Sequence, residues 1–440
     1  MTTLTEAQPI DDGPKRPAHR HPVARVAMIL GGIFVVLVFL RVLTGENAIT
    51  SSGTVGTTLA LGVPIGMAAL GGLWAERAGV VNLGLEGMMI FGTWGGAYGA
   101  YFSGNAWMGL LMGVAMGAAG GLLHALVTVT FGVDHIVSGV ALNILAPGVA
   151  RYLSTMFFLG EPGAGATQSP PLPDFPTVSL PGVGGPLGDL EDKHWFLLSD
   201  LAGLARGLTT NLSALTIIAL ALIPLTYYVL WRTSFGLRIR SCGENPYAAE
   251  SLGVRVYTMK YTAVVISGAL AGLGGVFLAM VGSSQYQENQ TNGRGYIGLA
   301  AMIFGNWRPG GLAAGTGLFG YTDALQQRGA TGAVHALLLM VSVVLFGYAM
   351  WRLVPARRGV TAQVDLEAAG PRRRRQIYQA AAAIVVGAML LAWYLATDSL
   401  PKEIVTYTPH LTTLLVLSMA SQRLRMPAAN GLRYRRGEGH

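Results

Sequence analysis

Residues 258–281 read TMKYTAVVISGALAGLGGVFLAMV, twenty-four positions with a single charge, Lys260, near the start. A helix crosses a bilayer with about 20 consecutive apolar residues. Backbone inside lipid must satisfy its own hydrogen bonds, so such a stretch reads as a membrane helix. The rest of the chain repeats the pattern. Hydrophobic residues make up 52% of the 440 positions and charged residues 12%, where a soluble domain carries roughly 25% charged residues. Mean hydropathy is +0.47. This composition excludes a string of soluble domains, a disordered chain, a coiled coil and a disulfide scaffold. Cys242 is the single cysteine, so no intrachain disulfide can form.

Further apolar runs lie at 24–43, 52–73, 85–103, 106–131, 135–158, 211–231, 311–327, 332–351, 377–396 and 406–420. The first is too long for a signal peptide and reads as a retained helix. The stretch 296–305 (YIGLAAMIFG) is too short to span, and glycines and the run Trp307-Arg308-Pro309-Gly310-Gly311 bound it. A half-helix buried in protein fits it, because broken backbone is tolerated in a membrane only there. The expectation is an all-α polytopic protein of about 11 transmembrane helices plus one half-helix. Most of the 30 Lys and Arg fall in four places: the N-terminus, the 232–260 loop, the 352–375 loop and the C-terminal tail. All four share one side if 296–305 completes a crossing. The positive-inside rule makes that side the cytoplasm, with both termini in it.

The chain divides accordingly into a disordered tail (1–23), a transmembrane core (24–352), a basic loop (353–376), an accessory hairpin (377–420) and a basic tail (421–440). Within the core, 159–210 is a long Pro/Gly/Ser-rich external loop, either a small cap or an unstructured insert. Residues 232–257 form the main cytoplasmic loop. Small-residue clusters at 68–72 (AALGG) and 269–275 (ALAGLGG) mark helix contacts or the trace of an inverted repeat.

Several chemistries are missing from the sequence. The lysines, Lys15, Lys193, Lys260 and Lys402, lie in no G-x-x-x-x-G-K-[ST] run, so the chain lacks a P-loop for ATP phosphates. No H-E-x-x-H or Cys/His cluster offers a metal site. The net charge of +8 flanks apolar spans, which indicates membrane orientation and not nucleic acid. His124 and His335 each stand alone in a span, as packed residues do. No nucleophile sits beside a base, so no catalytic residue is expected.

Three segments are too polar for their surroundings. In AERAGVVNLGLEG (75–87), Asn82 and Glu86 are four apart and share a helical face. A carboxylate at that depth should face protein or water; equally, it could serve the start of the third span, where acid favours the helix dipole. In DHIVSGVALNILAPG (134–148), Asn143 is mid-span, and Pro147-Gly148 should kink or unwind the helix. Asn143 then meets a polar solute or bonds a neighbouring helix. In WRTSFGLRIRSCGENPYAAESLGVR (231–255), Asn245 suits an N-cap, Pro246 a first turn and Gly253 a helix end. A short helix over 246–252 would be a docking element or part of a solvated loop.

These segments resemble the permease subunit of ATP-binding-cassette importers, in the branched-chain amino acid, ribose and nucleoside family. The likeness covers roughly residues 50–350. ERAGVVNLGLEGMM and YIGLAAMIFGNWRPGG are similar to the nucleoside and simple-sugar branch. GENPYAAESLGV resembles the family's coupling motif, and the resemblance implies that Gly243, Glu244, Asn245, Ala248, Ala249 and Gly253 dock the chain on its ATPase. It implies an importer subunit in the bacterial cytoplasmic membrane, working with an ATPase subunit that carries ATP and Mg, a second permease subunit, identical or homologous, and an external substrate-binding lipoprotein. The chain itself would hold no cofactor and contact lipid, not nucleic acid. Asn82, Glu86, Trp94 and Asn143 are the expected pathway residues. Loop 159–210 and hairpin 377–420 fall outside the likeness. The alternative is a proton- or sodium-coupled secondary transporter, for which Glu86, Asp134, Asp323 and His335 are the titratable candidates.

Overall fold

The structure is a computed structural model that describes residues 22–328, 331–353, 371–401, 403–405, 407–408, 411 and 424–437. The expected N-terminal tail, most of the basic loop 353–376 and most of the second limb of the hairpin lie outside these residues. In chain order the helices are α1 (Pro22–Thr44), α2 (Ser52–Arg77), α3 (Leu85–Ser103), α4 (Ala106–Ala125), α5 (His135–Phe157), α6 (Gly184–Glu191), α7 (Leu198–Thr209) and α8 (Ala214–Arg232). They continue as α9 (Ser234–Glu244), α10 (Pro246–Ser251), α11 (Val256–Phe277), α12 (Arg294–Phe304), α13 (Pro309–Gln327), α14 (Thr331–Leu353) and α15 (Pro371–Ala396). α4 and α11 each run on into a short π turn.

Among the described residues, seven helices are long and apolar enough to cross a membrane: α2, α4, α5, α8, α11, α14 and α15. α3 and α13 have spanning length and pack inside the bundle. Side-chain caps begin several of them. Ser51 accepts from the Thr54 amide, Asn105 from Trp107 and Asp134 from Ile136 and Val137. Each cap satisfies a helix-start N–H that lipid or protein would otherwise leave bare.

α2 and α11 form the buried centre, antiparallel to each other: Lys260, near the start of α11, reaches the Gly79 carbonyl just past the end of α2. Glycine allows this closeness. A Cβ at Gly92 on α3 would lie 2.5 Å from the Gly272 Cα on α11, and one at Gly117 on α4 would lie 2.5 Å from the same atom. Gly71, in the first small-residue cluster, faces the Ser267 carbonyl of α11. The clusters thus sit at helix crossings, where small residues let backbones approach.

α12 links the far end of α11 to α13. Its eleven residues span about 16 Å, half a bilayer core. It starts beside Glu86 and ends beside Glu76 and Trp307. α13 then returns along α2 until Tyr321 bonds the Ile49 carbonyl. The bundle therefore has a basic end, marked by Arg77, Arg232, Arg240 and Arg308, and an opposite end marked by Ser52. Pro147 does not unwind α5, which runs unbroken from His135 to Phe157; as an interior proline it leaves the Asn143 carbonyl without its N–H partner one turn on.

At the Ser52 end, residues 159–213 fold into α6, α7 and a two-stranded antiparallel pair of Thr177–Val178 with Leu212–Ser213, a small departure from an all-helical chain. Arg41 Nε meets Asp200 at 2.7 Å, and the Glu191 carboxylate accepts from the Ser52 amide at 2.7 Å. α14 and α15 pack as a pair beside the core.

Candidate functional site

The linker 78–84 between α2 and α3 is buried but not helical. Its polar backbone therefore needs partners from side chains. His124 on α4 contacts the Val81 carbonyl through Nε2 (3.0 Å) and Ser138 Oγ through Nδ1 (2.9 Å). A carbonyl can only accept, so in neutral imidazole Nε2 carries the proton and Nδ1 accepts from the serine. His135 Nδ1 accepts from the Val81 amide at 3.2 Å. Asn82, 0% exposed, accepts from the Gly84 amide at 3.0 Å and donates to Ser267 Oγ on α11 at 2.8 Å.

Glu86 sits over the N-terminus of α12. Its two carboxylate oxygens accept from the Gly293 amide (2.9 Å) and the Gly295 amide (2.7 Å). An anion there satisfies orphan donors and complements the helix dipole. Gly295 is the residue that permits it, since a Cβ would come within 2.6 Å of the Glu86 amide nitrogen. Asn143 on α5 accepts from the Gly87 amide at 2.8 Å and donates to the Leu83 carbonyl at 2.7 Å and to Tyr296 Oη at 2.9 Å.

Asn82, Glu86 and Asn143 therefore form one latch that ties the linker to α5, α11 and α12. Half-buried Asn143 and Tyr296, the latter 50% exposed, are where this latch reaches the open face of α5. Trp94 lies apart, buried against Tyr98, Phe157 and Phe158. Its Nε1 is buried with no partner among the described residues. Of the titratable candidates, Asp134 caps α5, Asp323 pairs with Arg294 at 3.3 Å and His335 contacts Thr397. No group of His, Cys, Asp or Glu among the described residues is arranged to hold a metal ion.

The second part of the site is at the basic end. The Asn245 side chain accepts from the Ala248 amide at 3.0 Å, Pro246 opens α10, and Gly253 follows it at φ +81°. Gly243 lies against the backbone of Arg77 and Gly79. Glu244 is 4.0 Å from Arg77. Ala248 is exposed and Leu252 is 85% exposed, whereas Ala249 is buried against Cys242, Val256 and Tyr434. The outward face of α10 is therefore Ala248 and Ser251, with Leu252 just beyond its end; Ala249 faces the chain's own interior. Burial pushes the Cys242 thiol up to about 11, against a smaller opposing effect of Lys260.

Sequence reasoning missed Trp307 and residues 424–437. Trp307 donates Nε1 to Glu76 at 2.6 Å and its carbonyl accepts from Arg77 Nε at 3.1 Å. Residues 424–437 (LRMPAANGLRYRRG) read as a basic tail yet pack onto this end. Neither has a periodic signal; the proline and small residues of the segment were the only hint of a fixed path.

Comparison with known proteins identifies the family of the bundle. Residues 54–350 match the family described as branched-chain amino acid transport system / permease component. The chain is 36% identical over 274 residues to the guanosine ABC transporter permease protein NupQ of Bacillus subtilis, covering 61% of this chain and 80% of that one. It is 34% identical over 279 residues to the nucleoside ABC transporter permease protein NupC of Lactococcus lactis, covering 62% and 81%. It is 36% identical over 278 residues to a putative glucose ABC transporter permease protein of Haloferax volcanii, covering 63% and 78%. No solved structure matches. With two thirds of its length in the family match, and its linker, half-helix and α10 all inside that match, the chain belongs to the branched-chain amino acid transport system permease component family.

Proposed function

We infer that this chain is the membrane subunit of an ATP-binding-cassette importer for a nucleoside or simple sugar. The observation that carries the reading is its 36% identity to a guanosine permease across 80% of that protein. The lack of a P-loop suits a subunit energised by a separate ATPase, which would hold ATP and Mg. The basic end is then cytoplasmic, and α10 and the residue after it present Ala248, Ser251 and Leu252 to the ATPase. A second permease subunit would cover the exposed face of α5, and an external lipoprotein would deliver solute at the Ser52 end. The membrane would be the bacterial cytoplasmic membrane. Tyr296, half-exposed and held by Asn143, offers an aromatic face and a hydroxyl proton, a pairing suited to a nucleobase or a sugar ring. The titratable groups that a secondary transporter would need are engaged as caps and pairs, which disfavours that alternative.

The test is uptake by proteoliposomes that hold the chain, its ATPase and its binding protein. Nucleoside uptake should require internal ATP and persist after the proton and sodium gradients are collapsed. Uptake that follows a gradient and ignores ATP would favour the secondary transporter.

A further inference from the structure

Residues 424–437 lie outside the family match, which ends at 350. They nonetheless cross the basic end and bind three separate parts of it. The first is α9: the Ala429 amide donates to the Gly243 carbonyl at 2.8 Å, and the Ala428 amide approaches Glu244 at 3.3 Å. The second is the end of α2: Asn430, itself buried, donates Nδ2 to Glu76 at 2.8 Å, and the Gly431 amide meets the Gly79 carbonyl at 3.3 Å. The third is the turn that closes α12: the Arg425 amide donates to Asn306 Oδ1 at 2.7 Å. Beyond these, Tyr434 is buried between Tyr247 and Tyr257, with ring centroids 5.3 and 5.4 Å away, and it packs with Ala249 and Cys242. Arg436 pairs with Glu250 at 3.2 Å.

We propose that this segment is a coupling strap, a positioning element that joins α10 to the half-helix α12 so that movement of α10 under the ATPase reaches the latch at Glu86. The inference rests on the importer reading above. α9 and α10 pack on α2, α8 and α11; besides the long contact of Glu244 on α9 with Arg77, which donates to the Trp307 carbonyl, the strap supplies a second, directly hydrogen-bonded route from them to the turn after α12. Glu76 is the junction, accepting from Asn430 on the strap and from Trp307 on that turn. Coupling through a contiguous bonded network is a physical claim that mutation can test.

The experiment uses the full chain assembled with its ATPase and binding protein, carrying Asn430→Ala with Tyr434→Ala, and separately Tyr434→Phe. Cys242, the lone thiol beneath Tyr434, reports docking by maleimide labelling in inside-out vesicles. In the double variant labelling should quicken roughly tenfold as the local contact opens. Solute-stimulated ATP hydrolysis and uptake should fall together, while basal hydrolysis, membrane level and co-purification of the ATPase persist. Tyr434→Phe keeps the packing and should behave as wild type. Unchanged labelling would show that the segment does not dock; faster labelling with intact stimulated hydrolysis would show a cover without a coupling role. Either result overturns the proposal. A wild-type chain that retains no ATPase instead overturns the importer reading, and the coupling role falls with it.

Discussion

The Glu86 carboxylate accepts a 2.7 Å hydrogen bond from the Gly295 amide, so a side chain at the start of α3 closes the first turn of the half-helix α12 more than two hundred residues later. Glu86→Ala would leave two helix-start amides without this acceptor, at a cost of about 1–3 kcal/mol for a buried unsatisfied group. The midpoint of thermal unfolding in detergent should drop, and uptake with it. Glu86→Gln retains one acceptor oxygen and should fall between the two. A Glu86→Ala protein as stable as wild type would remove the capping role.

The glycine crossings predict a sharp contrast between packed and open glycines. Gly272→Leu should force α4 off α11, since its Cβ alone would approach the Gly117 Cα at 2.9 Å. Overpacking of this kind costs roughly 1–3 kcal/mol or more, so monodisperse protein should become scarce. Gly148→Leu on α5 is the control, because a Cβ there meets nothing within 4 Å. Size-exclusion profiles of the two variants at matched induction make the comparison.

The folded segment at the Ser52 end hangs on a buried ion pair. Arg41 and Asp200 are both nearly inaccessible and 2.7 Å apart, with Thr50 also bound to Asp200. Removing one partner of such a pair costs about 3–5 kcal/mol, because the other charge stays buried. Arg41→Met should loosen 159–213, and protease added at the Ser52 end should cut there faster. Protection equal to wild type would mean that the segment is held by its other contacts alone.

The two alanines of α10 should behave differently. Ala248→Trp is on the exposed face and should leave the chain stable, while lowering solute-stimulated ATP hydrolysis by obstructing the partner. Ala249→Trp must overpack Cys242, Val256 and Tyr434 inside the chain, costing roughly 1–3 kcal/mol. Its unfolding midpoint should fall before any partner is added. Leu252→Asp, at the most exposed apolar position of the loop, should mimic Ala248→Trp. Stimulated hydrolysis unaffected by both exposed changes would remove α10 from the docking surface.

Sequence alone determined the seven long apolar helices among the described residues. Apolar runs such as 106–131 and 258–281 foretell α4 and α11 because lipid admits only self-satisfied helices of that length. The start of α10 was equally legible, since Asn245 and Pro246 act on the backbone within a turn of themselves. The tertiary structure alone decided what the polar residues inside the bundle do. Asn82, Glu86 and Asn143 read equally as groups facing a solute or as helix-start and interhelical partners, and the bonds they make, to Ser267, Gly295 and Gly87, come from an amide or hydroxyl brought near by packing. The same holds for Ala249, whose inward direction depends on Tyr434, a residue some 185 positions away. Local pattern encodes where a helix begins and how far it runs; a buried hydrogen bond has no such pattern, because its two ends are joined only when distant segments pack.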